Sequence, residues 1–519
     1  MLVSVEKQFS QIFSSKTKQV VSELSKILVP QHTQLLNQRK TPNEYKYRGC
    51  LKHIREDKSW KAVGANPDIW RRHVESTGPS SDIKMMINAL NSNADVYMTD
   101  LEDSMSPSWI NVQRGHSNIH NALRGELKYV KPETKQEYVF DTKRKSPVLM
   151  TRLRGLHMFE NHCLVNDQPV PAMVFDFATF MANNAEIFKK NLNLTYGGIY
   201  FYIPKIQTYE EASFVNEMFR IGEEILGISR GTIRATLLVE TYPAIFQTEE
   251  IIYALKDYIC GLNCGRWDYL FSLIKSNMST NIPNRSLLTM DQPFLASYIE
   301  RIVQSCHSRN IHAMGGMSAF IPTGKDNQVI IDKIVNDKLW EIKLGCDGAW
   351  VAHPGLIEPV KNLFNEKLDG KDNQYQIIPS RQISDREFLQ IPDNLLKPHC
   401  FTLKEFRNNL SIALKYLATW LDGNGAVAIN GLMEDMATCE ISLYQLKQWV
   451  KNEKPLANEN ESVVVNGVKF QEILEMEKKL IEDEKVLSKN LIDLAGKCVT
   501  EYITNLDEHF LQNIAYKYL

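Results

Sequence analysis

Between about Lys84 and Pro359 the chain alternates short β-rich runs with helix-like segments, and no other feature limits the fold as strongly. Runs from Ala94 to Thr99, Val148 to Leu153, Gly198 to Ile203, Thr232 to Val239, His312 to Met314 and Gly348 to Val351 read as strands. Between them, Tyr209 to Leu226 and Pro293 to Arg309 carry the clearest helical spacing of apolar residues. Strand-helix repetition implies βα units around a parallel sheet. At this length, and with no Gly-rich dinucleotide fingerprint after the first strand, it favours a closed (β/α)8 TIM barrel over an open sheet.

At 519 residues the chain is too long for one ordinary core, so the barrel needs company. Upstream, apolar residues between Phe9 and Leu36 follow a helical period that Pro30 is expected to interrupt. Asn43 to Pro79 shows no sustained period and reads as an extended lead-in. Downstream, Leu410, Leu414, Leu417 and Leu421 mark a helical face broken at Gly423-Asn424-Gly425. A further helix is expected after Glu434, at least one more within Phe470 to Tyr502, and a small hairpin around Asn466-Gly467. The expected division is an N-terminal helical and extended clasp over 1–83, the α/β barrel over 84–366, a linker over 367–398 and a mainly helical C-terminal domain over 399–519.

Charge and cysteine content exclude several function classes. Lys+Arg number 60 and Asp+Glu 62, so the formal net charge of -2 offers no whole-chain case for nucleic acid or an anionic membrane. No apolar run approaches the ~18 residues needed to span a bilayer. The nine cysteines are scattered, which points to reduced thiols in an intracellular protein. Cys260 and Cys264, with His307 and His312, do not follow the usual zinc spacings and read as buried thiols. Met1 to Ser10 lacks a signal-peptide core, and Tyr518-Leu519 is not a Ser-Lys-Leu address.

In a barrel of this kind the chemistry sits where the strands end. The first strand read above runs into Asp100, Glu102 and Asp103; the second carries Arg152 and Arg154; a later one ends at Glu240; and Asp268 follows Gly265-Arg266-Trp267. Clustered carboxylates facing a guanidinium suit a hard cation and an anionic substrate. Glu240 and Asp268 lie about one βα unit apart, so both can reach one ion, and oxygen ligands favour magnesium over zinc. Two glycines in Gly261 to Asp268 read as a tight turn whose backbone N–H groups can hold a small carboxylate. The plainer alternatives are that Glu240 caps a strand, Asp268 pairs with a nearby arginine, and Asp435, before a helix-forming run, is only a cap.

Longer blocks carry a family resemblance. DYICGLNCGRWDYLF, Asp257 to Phe271, resembles the malate synthase signature, and further blocks agree in order: MTDLEDSMSPSW from Met98, RLRGLHMFENH from Arg152, ATLLVETYPAIF from Ala235, HAMGGMSAFIP from His312, WVAHPGL from Trp350 and LMEDMATCEIS from Leu432. The resemblance spans nearly the whole chain. Tyr258, Leu153 and Leu443 depart from the family pattern, and none of them removes a ligand or catalyst.

The resemblance implies a magnesium-dependent condensation of acetyl-CoA with glyoxylate, then thioester hydrolysis to malate and CoA, as in the glyoxylate cycle. It implies Arg152 and Asp435 as catalytic residues and Glu240 and Asp268 as Mg2+ ligands. Gly265, Arg266, Trp267 and Glu102 then fall at the substrate, with Glu102 orienting Arg152 or metal-bound water, and Pro354 at the CoA. The alternatives are a related magnesium-dependent acyl-CoA lyase or aldolase, or a non-catalytic CoA-binding homologue. Location is expected in the peroxisome, the glyoxysome or the cytoplasm. The oligomeric state, a homo-oligomer included, stays open.

Overall fold

The computed structural model describes residues 5–41, 45–189, 197–322, 327–459, 461–505 and 510–519. Positions 1–4 of the stretch read for a signal peptide lie outside them. Eight parallel strands close into a barrel: β1 (Val74–Pro79), β2 (Val96–Asp100), β3 (Val148–Arg152), β4 (Ile199–Ile203), β5 (Ile233–Val239), β6 (Ile259–Cys264), β7 (His312–Ser318) and β8 (Gly348–Val351). They pair in sequence order, and β8 returns to β1 through Val74 opposite Ala349. Every residue of β2, β3 and β4 is buried, as a parallel sheet covered by helices requires. The helix Tyr209–Leu226 has textured ends: the Thr208 side chain accepts the Glu211 N–H, and Gly227 closes it in the left-handed region.

A buried polar network crosses the otherwise apolar lower barrel interior. Arg72 is fully buried, with Nε on Glu75 Oε1 (2.6 Å), Nη2 on the Tyr202 hydroxyl (3.0 Å) and Nη1 on Thr236 (3.0 Å). Trp350 Nε1 donates to Glu75 Oε2 (2.7 Å). This network anchors the indole that lines the cavity above it.

Several expectations need correction. β1 lies in the segment read as an extended lead-in and precedes position 84, because VESTGP has no apolar alternation and is a strand only through its pairing with β2 and β8. The stretch read as a tight turn begins as β6, in which Gly261 pairs with Thr236 and His312 on either side. Pro30 does not interrupt the first helix, α1 (Ser15–Arg39): it sits on the exposed side while Leu24, Leu28 and Leu35 are buried along the other. The hairpin pairs Pro455–Asn458 with Glu461–Val464, and Asn466 instead caps the helix Gly467–Asp483 by accepting the Lys469 N–H (3.0 Å).

The C-terminal region is mainly helical. Leu403–Leu421 packs against Met436–Lys451 and Lys489–Thr504. A hairpin, Val427–Ile429 with Leu432–Glu434, leads into the second of these helices. It joins the loop after β7: Met433 N–H donates to the Ala319 carbonyl (2.8 Å) and Ile321 N–H to the Gly431 carbonyl (2.9 Å). Gly425 rests directly on the barrel, where a Cβ would stand 2.6 Å from Ser106 N and 2.8 Å from Ser104 C. The helical domain is therefore seated on the carboxyl ends of the strands.

Candidate active site

Arg152 ends β3 and projects into the barrel mouth. Asp100, ending the neighbouring β2, receives it through two parallel bonds, Nε to Oδ1 (2.7 Å) and Nη2 to Oδ2 (2.5 Å). Its Nη1 reaches Asp103 Oδ2 (3.3 Å), with Glu102 at 3.5 Å. Asp100 thus gives Arg152 its main hold, while Glu102 stands beside it without a hydrogen bond. Asp100 is itself locked by the Glu102 N–H, the Ser104 N–H and the Ser104 hydroxyl. A fork clamped this way is pre-organised to stabilise an oxyanion.

Glu240 follows β5 directly. Asp268 lies in the first turn of α2 (Arg266–Ser276), which starts one residue past the end of β6, after Gly265. A Cβ at Gly265 would stand 2.5 Å from Glu240 Cβ and 2.8 Å from its Oε2, so only glycine lets the helix start this close to Glu240. The N–H groups of that first turn are free of helix partners and suit an anion.

Asp435 is the N-cap of α3 (Met436–Lys451). Its side chain accepts the Thr438 N–H (3.1 Å), and its own N–H donates to Thr438 Oγ1 (3.0 Å). It is a cap, as the plainer alternative held, and it also faces the barrel. Met436 N–H donates to the Asp103 carbonyl (3.2 Å), and Arg285 pairs with the preceding Glu434. Arg152, Glu240, Asp268, Gly265, Arg266, Trp267 and Asp435 all line one cavity of about 60 Å³. Glu102 lies beneath it, and Pro354 sits exposed on a short turn after β8, outside the lining.

A wider cleft of about 720 Å³ adjoins this cavity, sharing Arg266, Trp267, Met317 and Met433. It runs between the barrel and the helical domain and carries Arg266, Arg285 and Lys333 alongside Asp291, Asp337 and Glu434. A small chamber carrying carboxylates and Arg152, opening onto a larger cleft, suits a small acid meeting the end of a long carrier.

The chamber is strongly acidic. Burial pushes the carboxyls of Glu240 up to about 8 and Asp268 up to about 6, against the lowering pull of Lys205. Enclosure, then Asp103, raises Asp435 to about 7, although part of its surface stays open to the cavity. Burial and Asp103 push Glu102 well above the carboxylate range. Burial also opposes ionisation of Asp103, but Lys205 and Arg152 outweigh it and hold that carboxyl low.

These groups fit a magnesium ion. Asp268 Oδ1 and both carboxyl oxygens of Glu102 are buried without a hydrogen-bond partner. Among the described residues no three His, Cys, Asp or Glu side chains close into a self-sufficient metal cage. Two carboxylates that leave room for water and substrate oxygens are how Mg2+ is commonly held. Cys260 and Cys264 are buried thiols in β6, while His307 pairs with Asp347 and His312 with the Trp70 carbonyl.

Lys205 escaped the sequence reading. It lies two residues past β4 with its ammonium on Asp103 (2.9 and 3.0 Å), Asp268 (3.1 Å) and Glu102 (3.3 Å). The strand-end rule that selected the carboxylates reaches it if cations are searched as well as acids. The weight of Asp100 in holding Arg152 was invisible, since it depends on the register that sets Asp100 beside Arg152.

A family model described as malate synthase, TIM barrel domain, matches residues 148–391, and one described as malate synthase, C-terminal, matches 401–519. The malate synthase of Myxococcus xanthus is 40% identical over 456 residues, covering 85% of this chain and 82% of that protein. Malate synthase A of Escherichia coli is 38% identical over 518 residues, covering 96% and 94%. The glyoxysomal malate synthase of Glycine max is 38% identical over 481 residues, covering 90% and 83%.

Proposed function

The chain belongs to the malate synthase family, and from that premise we propose how its residues divide the condensation of acetyl-CoA with glyoxylate. The observation that carries the reading is the convergence of Arg152, Glu240, Asp268 and Asp435, drawn from two domains, on one small cavity.

Acetyl-CoA enters along the wider cleft, its phosphates toward the Arg266 and Lys333 cations and its thioester at Trp267. Asp435 takes a proton from the acetyl methyl group, a task for which a pKa near 7 is well matched. Arg152 faces the thioester oxygen as enolate charge develops and is held in place by Asp100. The enolate carbon then attacks the glyoxylate aldehyde, forming the new C–C bond of malyl-CoA, and water cleaves the thioester to malate and CoA. The glyoxylate carboxylate meets the N-terminal turn of α2. Glu240 and Asp268 would hold Mg2+, which when bound supplies Lewis acidity to the aldehyde and counter-charge to the acid chamber. The helical domain covers the mouth and excludes bulk water. Among the described residues no helix is long and apolar enough to cross a membrane. Relatives named as glyoxysomal and relatives from bacteria support a glyoxysome-like organelle or the cytoplasm as its place.

The test is to combine the purified protein with acetyl-CoA, glyoxylate and Mg2+, follow thiol release and identify malate, omitting each component in turn. Thiol release that persists without glyoxylate would mark a thioesterase. Accumulation of malyl-CoA without free CoA would favour the lyase or aldolase reading.

A further inference from the structure

Lys205 touches both carboxylates assigned above to the cation, through two different groups. Its backbone N–H donates to Glu240 Oε1 (2.7 Å), and its ammonium donates to Asp268 Oδ2 (3.1 Å). Each carboxylate therefore has one oxygen committed to the same residue. The other Asp268 oxygen, Oδ1, is buried without a partner, and the other Glu240 oxygen, Oε2, lies toward Gly265 on the cavity wall.

The backbone that permits this is demanding. Lys205 has φ +53, in the left-handed region that a residue with a Cβ avoids. The conformation is held from outside by α1: Arg39 donates to the Lys205 carbonyl (2.8 Å) and to both oxygens of Glu211 (2.6 and 2.8 Å). Glu211 in turn accepts the Gln207 N–H (2.7 Å), and the Thr241 hydroxyl donates to the Ile206 carbonyl (2.7 Å). The ammonium is equally constrained, since Asp103 and Glu102 complete its surroundings.

Resting on the cation site of the preceding section, we infer that Lys205 is a positioning residue that sets the site's choice of divalent ion. With one oxygen of each carboxylate occupied, Glu240 and Asp268 are presented as single-oxygen ligands. That suits a small octahedral ion such as Mg2+, which keeps its waters. It disfavours Ca2+, which takes six to eight oxygens and readily uses both oxygens of a carboxylate. Removing the ammonium also removes a positive charge near the cation, so neither ion loses electrostatic attraction. The ratio of the two affinities is what changes.

The experiment uses full-length protein stripped with a chelator and titrated calorimetrically with MgCl2 and, separately, CaCl2. Lys205→Met keeps the aliphatic stem, while Lys205→Gly keeps the N–H and relaxes the left-handed backbone, which guards against a folding failure of the first variant. The parent is expected to prefer Mg2+, and in both variants the preference should shrink by about tenfold, the usual effect of altering a group that orients a ligand. An unchanged ratio in either folded variant overturns the inference, as does a parent protein that binds Ca2+ as tightly as Mg2+. Glu240→Ala and Asp268→Ala are titrated alongside. If neither weakens either ion, the cation site itself has been misplaced, a result distinct from failure of the Lys205 role.

Discussion

Asp435→Asn separates the cap that Asp435 forms from the base role proposed for it. As the N-cap of α3 the residue accepts the Thr438 N–H at 3.1 Å, and an asparagine Oδ1 can accept the same bond. As the base it must take up a proton, which an amide cannot do. The substitution should therefore lower kcat by about 10²- to 10⁴-fold, the range for general-base catalysis, equivalent to about 3–5.5 kcal/mol of barrier. Folding should be unharmed. Asp435→Ala removes the base and the cap together, so it should match Asp435→Asn in rate but lose about 1 kcal/mol of stability. Initial rates of thiol release and thermal melts on the same preparations measure both quantities. The melts carry a pH signature in metal-free protein. Enclosure raises this carboxyl from 3.8 to about 7, so the unfolded chain ionises first as pH rises. Ionisation therefore costs the folded parent stability across about pH 4–7, and Asp435→Asn, which cannot ionise, should gain on the parent over that window. A rate for Asp435→Asn close to the parent's would refute the base assignment. Equal stability of the Asn and Ala variants would refute the cap.

Gly265→Ala would set a methyl 2.5 Å from Glu240 Cβ, so Glu240 must move; Mg2+ affinity should fall by about 10- to 100-fold, measured calorimetrically. Arg152→Lys keeps the charge but loses the two-point bond to Asp100. Turnover should drop by about 10²-fold or more, and parent-like rates would show that the fork is not needed. Burial raises Glu240 to about 8, so cation binding below that pH must displace a proton. Mg2+ affinity should climb by up to about tenfold per pH unit between pH 6 and 8, with proton release visible when buffers of different ionisation enthalpy are compared; a flat pH profile contradicts the buried, protonated state.

The barrel was legible because its code is local. Strand and helix periods in the central segment, and polar residues at strand ends, are properties of short windows, and β2 to β5 and β8 fall within two residues of where those windows place them. The signature blocks likewise carried the family. Two strands escaped the same reading. VESTGP in β1 and ICGLNC in β6 lack the expected alternation, and they are strands because neighbours on both sides supply hydrogen-bond partners.

By itself the sequence determined the fold class, the family and the residue types available for catalysis, since these follow from order and chemistry along the chain. Tertiary structure decided which of those residues meet. Asp435 reaches the barrel because Gly425 lets the helical domain rest on the backbone of 104–106 and because the hairpin before it joins the loop after β7. Lys205 enters the acid chamber because Arg39, far upstream, holds its turn in a conformation that nothing local favours. Distances between groups remote in sequence depend on packing across the whole molecule, and no window of the chain contains that information.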